Sequence, residues 1–352
     1  MQVYQLETPA LIVDLDVAEE NQRRMMALLR PLEVALRPHY KSHKCTALAH
    51  LQMDNGAKGI TCAKLSEAED LVLAGIPDVL IANQVVEPSK LARLAWLASC
   101  AHVSVCADTA ENILALEQAC AAQDSELGVL VEYDVGMNRC GVRTPDEMVA
   151  LARLIGEQEH LEFMGVQAYA GQLSHEYDHE KRGREADIVE KRLHELVALL
   201  HAEGIEVPEV SGASTGTAEL RGEGTIYTEV QAGTYLLMDA AYERMGVHFD
   251  HALFMVSTVL SADAGRLVCD AGLKSLGTDQ GGPVFLSWPD EKPEMSEEHC
   301  AIYCENSKRP GDKVLLVPGH CCTTINLFDF LYLVRGNRVV DRVPVTSRGK
   351  CR

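Results

Sequence analysis

Leu36-Arg37-Pro38-His39-Tyr40-Lys41-Ser42-His43-Lys44 is an apolar run typical of a buried strand that ends in a lysine with basic and aromatic neighbours. At the mouth of a barrel, an amine shielded from water and close to other cations is a nucleophile that can form a Schiff base. A lysine just past a strand is otherwise an ordinary solvated residue. The rest of the chain therefore has to decide whether Lys41 has a chemical role.

Short β-rich runs alternate with amphipathic helical segments over the first 240 residues. Most intervals between the runs carry apolar residues at three- and four-residue spacing and begin with a residue suited to a helix start. Eight such β/α units predict an α/β fold, a TIM-like (β/α)8 barrel with parallel strands and right-handed crossovers. The predicted strands lie at 33–41, 58–64, 78–83, 102–108, 127–134, 161–169, 208–214 and 228–237, and the clearest helices at 17–30, 66–74, 88–98 and 109–122.

The pattern changes at about residue 250 to strand-like runs separated by Gly, Pro and charged turns. This change predicts a second, mostly β domain at the C-terminus. We place the barrel at residues 8–245 and the β domain at 246–352 together with the extreme N-terminus, 1–7. The charged segment 287–309 is predicted to be a long surface loop. The predicted strands of this domain are 253–260, 266–269, 313–317, 330–334 and 339–345.

Composition narrows the class of partner. The chain has 352 residues, 24% of them charged, and a formal net charge of -20 with no Lys/Arg-rich run to offset it. These values argue against nucleic acid and anionic membranes and favour a small-molecule enzyme. No secretion signal and no apolar stretch of membrane-spanning length is present, which predicts a cytoplasmic protein whose 12 cysteines are mostly reduced core residues.

Polar residues follow most of the predicted strands, where a β/α barrel carries its active site. The segment from Ser211 to Ala218 after the seventh strand has small residues, hydroxyls and backbone N–H groups that suit a phosphate. A Schiff-base lysine and a phosphate loop at one barrel mouth together indicate pyridoxal phosphate. Arg139 is predicted to hold the phenolic oxygen of the ring and Tyr169 to pack on the ring. The remaining predicted cofactor-binding residues are Ser214, Thr215, Gly216, Thr217, Gln231, Gly233 and Thr234.

A second constellation is His320-Cys321-Cys322 in the β domain. In an extended segment alternate residues face the same side, so His320 and Cys322 are predicted to point together. An imidazole and a thiolate suit a divalent ion such as Zn²⁺ or Mn²⁺ and leave coordination positions open. The same pair could be core filling. A competing cluster, 299–304, has looser spacing on a predicted loop.

The chain resembles the fold-type III pyridoxal-phosphate enzymes related to D-threonine aldolase and eukaryotic-type D-serine dehydratase. The resemblance runs from Thr8-Pro9-Ala10-Leu11 through the Lys41 stretch, 229–235 and 270–274 to Ser347-Arg348-Gly349. It implies an alanine-racemase-like barrel with a β domain, a homodimer, pyridoxal phosphate on Lys41 and a divalent metal on His320 and Cys322.

The same resemblance implies a lyase acting on D-3-hydroxy amino acids. If His175 or a water on the metal removes the hydroxyl proton, the Cα–Cβ bond breaks and glycine and an aldehyde leave, which is the aldolase reaction. If Lys41 takes the Cα proton instead, hydroxide departs and a keto acid and ammonia result, which is the dehydratase reaction. Ala170 stands where many of the aldolases have His, and a thiolate at Cys322 is more typical of the dehydratases, whereas residues 37–45 and the end of the chain are more similar to the aldolases.

Two other classes use the same barrel. An amino-acid racemase needs no metal, so the His320 and Cys322 pair counts against it. A non-catalytic pyridoxal-phosphate carrier of the single-barrel type lacks a β domain, for which this chain has about a hundred extra residues. The prediction from the sequence is therefore an aldolase, with a dehydratase as the alternative and a racemase third.

Overall fold

The computed structural model describes residues 1–352, which form two compact units. The first unit consists of Met1–Arg24, Ser42–Leu48 and Thr234–Gly349, and the second of Met25–Lys41, Ala49–Gly233 and Lys350–Arg352.

The second unit contains the predicted barrel. Its eight strands are all parallel and are hydrogen-bonded in the order β2-β9-β8-β7-β6-β5-β4-β3. A parallel bridge between His39 and Thr61 joins the two ends of this order, and the Thr61 N–H donates to the Pro38 carbonyl over 2.8 Å. The strands are β2 Ala35–Leu36, β3 Ile60–Cys62, β4 Asp78–Gln84, β5 His102–Ala107, β6 Leu127–Glu132, β7 Leu161–Ala168, β8 Glu209–Gly212 and β9 Glu229–Val230.

Helices follow the strands as the apolar spacing predicts. The helix after β5 is capped by Thr109, whose hydroxyl accepts the Asn112 N–H, and the helix after β6 begins with a capping box of Thr144 and Glu147. The helices of the chain are α1 Leu15–Leu29, α2 Thr46–Asp54, α3 Leu65–Leu73, α4 Pro88–Ala98, α5 Ala110–Ala121, α6 Pro145–Gly156, α7 His179–Ala202, α8 Thr215–Ala218, α9 Ala240–Glu243 and α10 Cys321–Ile325. None of these ten helices is both long and apolar enough to span a bilayer.

The first unit is the predicted β domain. β10 forms its centre and pairs antiparallel with β1, β11 and β15, while β16 pairs parallel with β1. The apolar faces of these strands enclose a core that includes Ile12, Val256 and Val334. The strands are β1 Ala10–Asp14, β10 Leu253–Asp263, β11 Arg266–Cys269, β12 Val284–Phe285, β13 Glu294–Met295, β14 Cys300–Ile302, β15 Lys313–Val317, β16 Phe330–Arg335 and β17 Arg338–Pro344.

Three details differ from the sequence prediction. The predicted barrel domain of residues 8–245 includes strand β1, but β1 lies in the sheet of the first unit because both of its edges are bonded there. Residues 234–245 also lie in the first unit, where the Ala240 N–H donates to the Pro318 carbonyl over 3.0 Å. The predicted loop 287–309 contains β13 and β14, which pair with each other and extend the sheet through β11.

Candidate active site

A cavity of about 160 Å³ lies at the carboxyl ends of the barrel strands. The loops and turns that follow β2, β6, β7 and β9 each place a side chain in it, as expected for a parallel barrel. The sequence-predicted residues Lys41, Arg139, Tyr169 and Gln231 therefore share one cavity. The full lining is His39, Lys41, Ala63, Ala82, Asn83, Arg139, Gln167, Tyr169 and Gln231.

Two cations face the ring of Tyr169. The Lys41 Nζ lies 5.4 Å from the ring centroid and the Arg139 guanidinium carbon 5.5 Å. The Tyr169 hydroxyl is 2.9 Å from the Ser174 Oγ, which restrains the ring. The expectation that the Lys41 amine is shielded from water is wrong for this structure, in which Lys41 is exposed because it lines a cavity that solvent reaches. The structure does contain two other features of the environment that we expected for Lys41, namely a neighbouring cation, Arg139, and an aromatic ring, Tyr169.

A buried carboxylate contacts the guanidinium of Arg139. Glu132, the last residue of β6, lies 3.5 Å from the Arg139 Nη2 and accepts a 2.6 Å hydrogen bond from the Gln84 Nε2. Burial raises the pKa of Glu132 above its usual value although both partners oppose the shift. Asp134, two residues after the end of β6, shapes the following loop by accepting the N–H groups of Gly136 and Asn138.

The predicted phosphate loop forms a tight turn after β8. Ala213 has a left-handed backbone with φ of 56°, and helix α8 begins directly after Ser214. The Ser214 N–H donates to the Thr217 Oγ1 over 3.0 Å, and both residues are buried. Thr215 and Gly216 are the first two residues of helix α8, and a turn of small residues at the start of a helix is the kind of backbone that binds phosphate.

These residues fit pyridoxal phosphate. The Gln231 N–H donates to the Gly212 carbonyl over 2.8 Å, which ties the strand that carries a cavity residue to the start of the phosphate loop. The barrel unit thus combines a primary amine, an aromatic ring, a guanidinium and a donor-rich turn. Gly233 is the last residue of the segment Ala49–Gly233 of this unit, and Thr234 begins the turn Thr234–Leu236 of the first unit.

The predicted metal pair belongs to the first unit, but strand alternation does not explain its geometry. Helix α10 begins at Cys321, so the alternation of an extended segment does not apply past His320, whose backbone is still extended. The two side chains nevertheless interact. Burial lowers the pKa of His320, but hydrogen bonds to Cys322 and Asp279 raise it by a larger amount. The resulting pKa is about 9.

The pair fits a divalent ion with open positions. The His320 Nδ1 lies 2.7 Å from the Asp279 Oδ2, and the Thr323 hydroxyl donates to the other oxygen of that carboxylate. A carboxylate on Nδ1 orients a ligating histidine with Nε2 toward the metal. No group of three or more His, Cys, Asp or Glu side chains is arranged as a metal site in this chain.

The other predicted groups lie elsewhere. Cys300 of the competing cluster is buried and faces Cys269 across the β11 and β14 pair. His175 is exposed and does not line the cavity. Sequence reasoning missed His39 and Gln167, which do line it. Gln167 lies on β7, two residues before Tyr169, and this spacing is the signal that could have placed both on one face.

Comparison with known proteins agrees with the fold. The alanine racemase N-terminal domain family matches residues 13–241, and the serine dehydratase domain family matches residues 252–334. D-threonine aldolase of Arthrobacter sp. is 38% identical over 353 residues, covering 98% of this chain and 93% of the relative.

Other relatives carry related names. The 3-hydroxy-D-aspartate aldolase of Paracoccus denitrificans (strain Pd 1222) is 38% identical over 98% of this chain and 93% of its own length. The D-threo-3-hydroxyaspartate dehydratase of Delftia sp. (strain HT23) is 34% identical over 78% of this chain and 74% of its own length. The crystal structure of D-threonine aldolase from Filomicrobium marinum superimposes with a TM-score of 0.95 at 39% identity, covering 100% of this chain and 98% of that one. The chain therefore belongs to the alanine racemase-like family that includes D-threonine aldolase, 3-hydroxy-D-aspartate aldolase and D-serine dehydratase.

Proposed function

We propose that this protein is a pyridoxal-phosphate lyase that cleaves D-3-hydroxy amino acids between Cα and Cβ to give glycine and an aldehyde. The observation that carries the proposal is the barrel cavity, in which Lys41, Arg139 and Tyr169 meet. Relatives named as aldolases at 38% identity over 98% of the chain support this reaction over the alternatives.

Pyridoxal phosphate, when bound, supplies an aldehyde for covalent attachment of an amine and a ring that withdraws electrons. Lys41 would provide the amine. Arg139, fixed by Glu132, would pair with the phenolic oxygen, and Tyr169 would pack against the ring. Ser214, Thr215, Gly216 and Thr217 would hold the phosphate, with Gln231, Gly233 and Thr234 as further contacts.

His320 and Cys322 would hold Zn²⁺ or Mn²⁺, which as a Lewis acid polarises a hydroxyl group. Asp279 orients the His320 ring for this task. His175 stays our candidate for the base that removes the hydroxyl proton, and its exposure lets it exchange that proton with solvent. A homodimer and a cytoplasmic location remain predictions, and sedimentation of the purified protein tests the first of them.

A dehydratase is the second candidate. It is favoured by Cys322, a thiol ligand, and by the Delftia dehydratase, which is 34% identical to this chain. In that reaction Lys41 would remove the Cα proton and no carbon–carbon bond would break.

The experiment is product analysis with D-threonine, D-serine and 3-hydroxy-D-aspartate, each with and without added metal. We expect glycine and an aldehyde from a metal-dependent reaction. Keto acid and ammonia without glycine would reverse the order of the two candidates. Borohydride reduction followed by peptide mapping should find the cofactor on Lys41, and a label on Lys44 or Lys64 would contradict the site.

A further inference from the structure

A chain of hydrogen bonds runs through the interior of the barrel to the cavity. It begins at Arg37, whose side chain is 2% exposed and whose Nε donates to both oxygens of Glu229 over 2.9 Å. The Arg37 Nη1 contacts the Asp78 carboxylate at 2.6 Å, and the Lys58 Nζ reaches Glu229 at 3.1 Å. Glu229 is fully buried, and its two oxygens accept hydrogen bonds from these two cations.

The carboxylate of Glu229 sets the direction of the next hydrogen bond. An ionised carboxylate only accepts, whereas a hydroxyl has one hydrogen to donate and lone pairs to accept with. The Ser211 Oγ lies 2.5 Å from the Glu229 Oε1 and must give its hydrogen to it. Ser211 can then act only as an acceptor toward its other neighbour.

That neighbour is Gln231, whose amide orientation is thereby determined. The Gln231 Nε2 lies 2.6 Å from the Ser211 Oγ and 2.6 Å from the Gln167 Oε1, so both amide hydrogens are donated. Rotating the Gln231 amide by 180° would place its carbonyl oxygen against two acceptors and lose both bonds. The Gln167 Nε2 is 3.4 Å from the Gln231 Oε1, which completes the pairing of the two amides.

Gln167 and Gln231 both line the cavity. Once the internal bonds are counted, one hydrogen on the Gln167 amide nitrogen and one lone pair on the Gln231 oxygen remain for a ligand. Neither amide could hold this arrangement alone, because an unconstrained glutamine side chain exchanges its oxygen and nitrogen positions by a simple rotation.

We propose that Arg37, Glu229 and Ser211 are positioning residues that fix the amide orientation of Gln231 and, through it, that of Gln167. The two amides then determine the hydrogen-bonding pattern that the cavity offers to the ring of a heteroaromatic cofactor. The inference rests on the proposed function, in that the ligand is pyridoxal phosphate. It assigns to a buried ion pair an effect on cofactor affinity in addition to its effect on stability.

The test compares Ser211→Ala with Ser104→Ala, because Ser104 is a buried serine on strand β5 that takes no part in the network. Apoprotein is titrated with pyridoxal phosphate and its Kd is measured by fluorescence, while the melting midpoint of the apoprotein is recorded separately. We expect Ser211→Ala to raise the Kd about tenfold, the effect of one well-formed hydrogen bond. Ser104→Ala should change the Kd less than about twofold.

A double-mutant cycle separates positioning from general destabilisation. In a Gln231→Leu background there is no amide for Ser211 to orient, so adding Ser211→Ala should change the Kd less than about twofold. A full tenfold change in that background, or an unchanged Kd in Ser211→Ala alone, would overturn the inference.

If Ser211→Ala does not fold, Ser211→Thr takes its place. Thr retains the hydroxyl, and a Kd within about threefold of wild type is the expected result, whereas a tenfold rise would count against the inference. If the protein does not use pyridoxal phosphate, the result is different, since the wild-type apoprotein would then not bind this cofactor at all. A dehydratase would bind it as an aldolase does, and product analysis separates those two.

Discussion

The substitution Gly212→Ala adds one methyl group, which should push strands β7 and β8 apart beside the predicted phosphate loop. Gly212 ends strand β8 and faces Ala168 of β7 across the sheet. A Cβ on Gly212 would lie 2.2 Å from the Ala168 carbonyl oxygen and 2.8 Å from the ring of Tyr227. Carbon and oxygen atoms in strands approach to roughly 3.3 Å, so the two backbones would have to separate by about 1 Å.

The cost of Gly212→Ala follows from that displacement. The backbone oxygen cannot rotate away as a flexible side chain would, and inserting a methyl into a packed interior costs about 1–3 kcal/mol, occasionally more. We expect the upper end, about 3 kcal/mol, since both near contacts are with buried and constrained groups. For a unit of this size the melting midpoint should fall by roughly 6–12 °C. The displaced strand also carries the start of the loop 213–217, so the Kd for pyridoxal phosphate should rise about tenfold or more.

The assay is thermal unfolding of the apoprotein followed by cofactor titration. Gly183→Ala is the matched control, because Gly183 lies within helix α7 and a Cβ added there would have no heavy atom within 4 Å outside its own helix backbone and chain neighbours. Replacing a partly exposed helical glycine by alanine should stabilise the protein by about 0.5–1 kcal/mol. Equal melting midpoints for wild type and Gly212→Ala would refute the packing argument, and an unchanged Kd would refute the link to the phosphate loop.

Three further results are expected. Chelation of the metal should abolish turnover yet leave the melting midpoint within about 2 °C of that of the untreated protein, because an ion on two side chains contributes little to folding. A large loss of stability would instead indicate a structural ion. Asp279→Ala should weaken zinc binding by His320 about 10–100-fold in a competition titration, and an unchanged affinity would show that the Asp279 contact does not orient the ring. Burial raises the pKa of Asp78, but Arg37 lowers it by a larger amount, so the pKa lies below its usual value. The Asp78 carboxylate therefore stabilises the fold above about pH 4, and this contribution is lost as the pH falls through the lowered pKa. The difference in melting midpoint between wild type and Asp78→Asn should therefore shrink in acid. A difference that stayed constant would contradict the ion-pair argument.

Local patterns in the chain are enough to predict the eight β/α units, the change to a β domain and several residues of the barrel cavity. These features follow from local rules, because the apolar period marks each strand or helix and a parallel barrel brings all strand ends to one mouth. Lys41, Arg139, Tyr169 and Gln231 could therefore be predicted to meet, and the structure places all four in one cavity.

Long-range contacts determine which unit each element joins and how the cavity is supported. Strand β1 has the same apolar character in either unit, and its partners, β10 and β16, lie far along the chain, as in the pairing of Ala10 with Val256 and of Ile12 with Tyr332. The bonds from Arg37 to Glu229 and from Gln231 to Gln167 connect residues separated by 192 and 64 positions. Neither spacing has a local signature. The direction of each bond depends on which acceptor is already occupied, a property of the assembled interior that no segment carries alone.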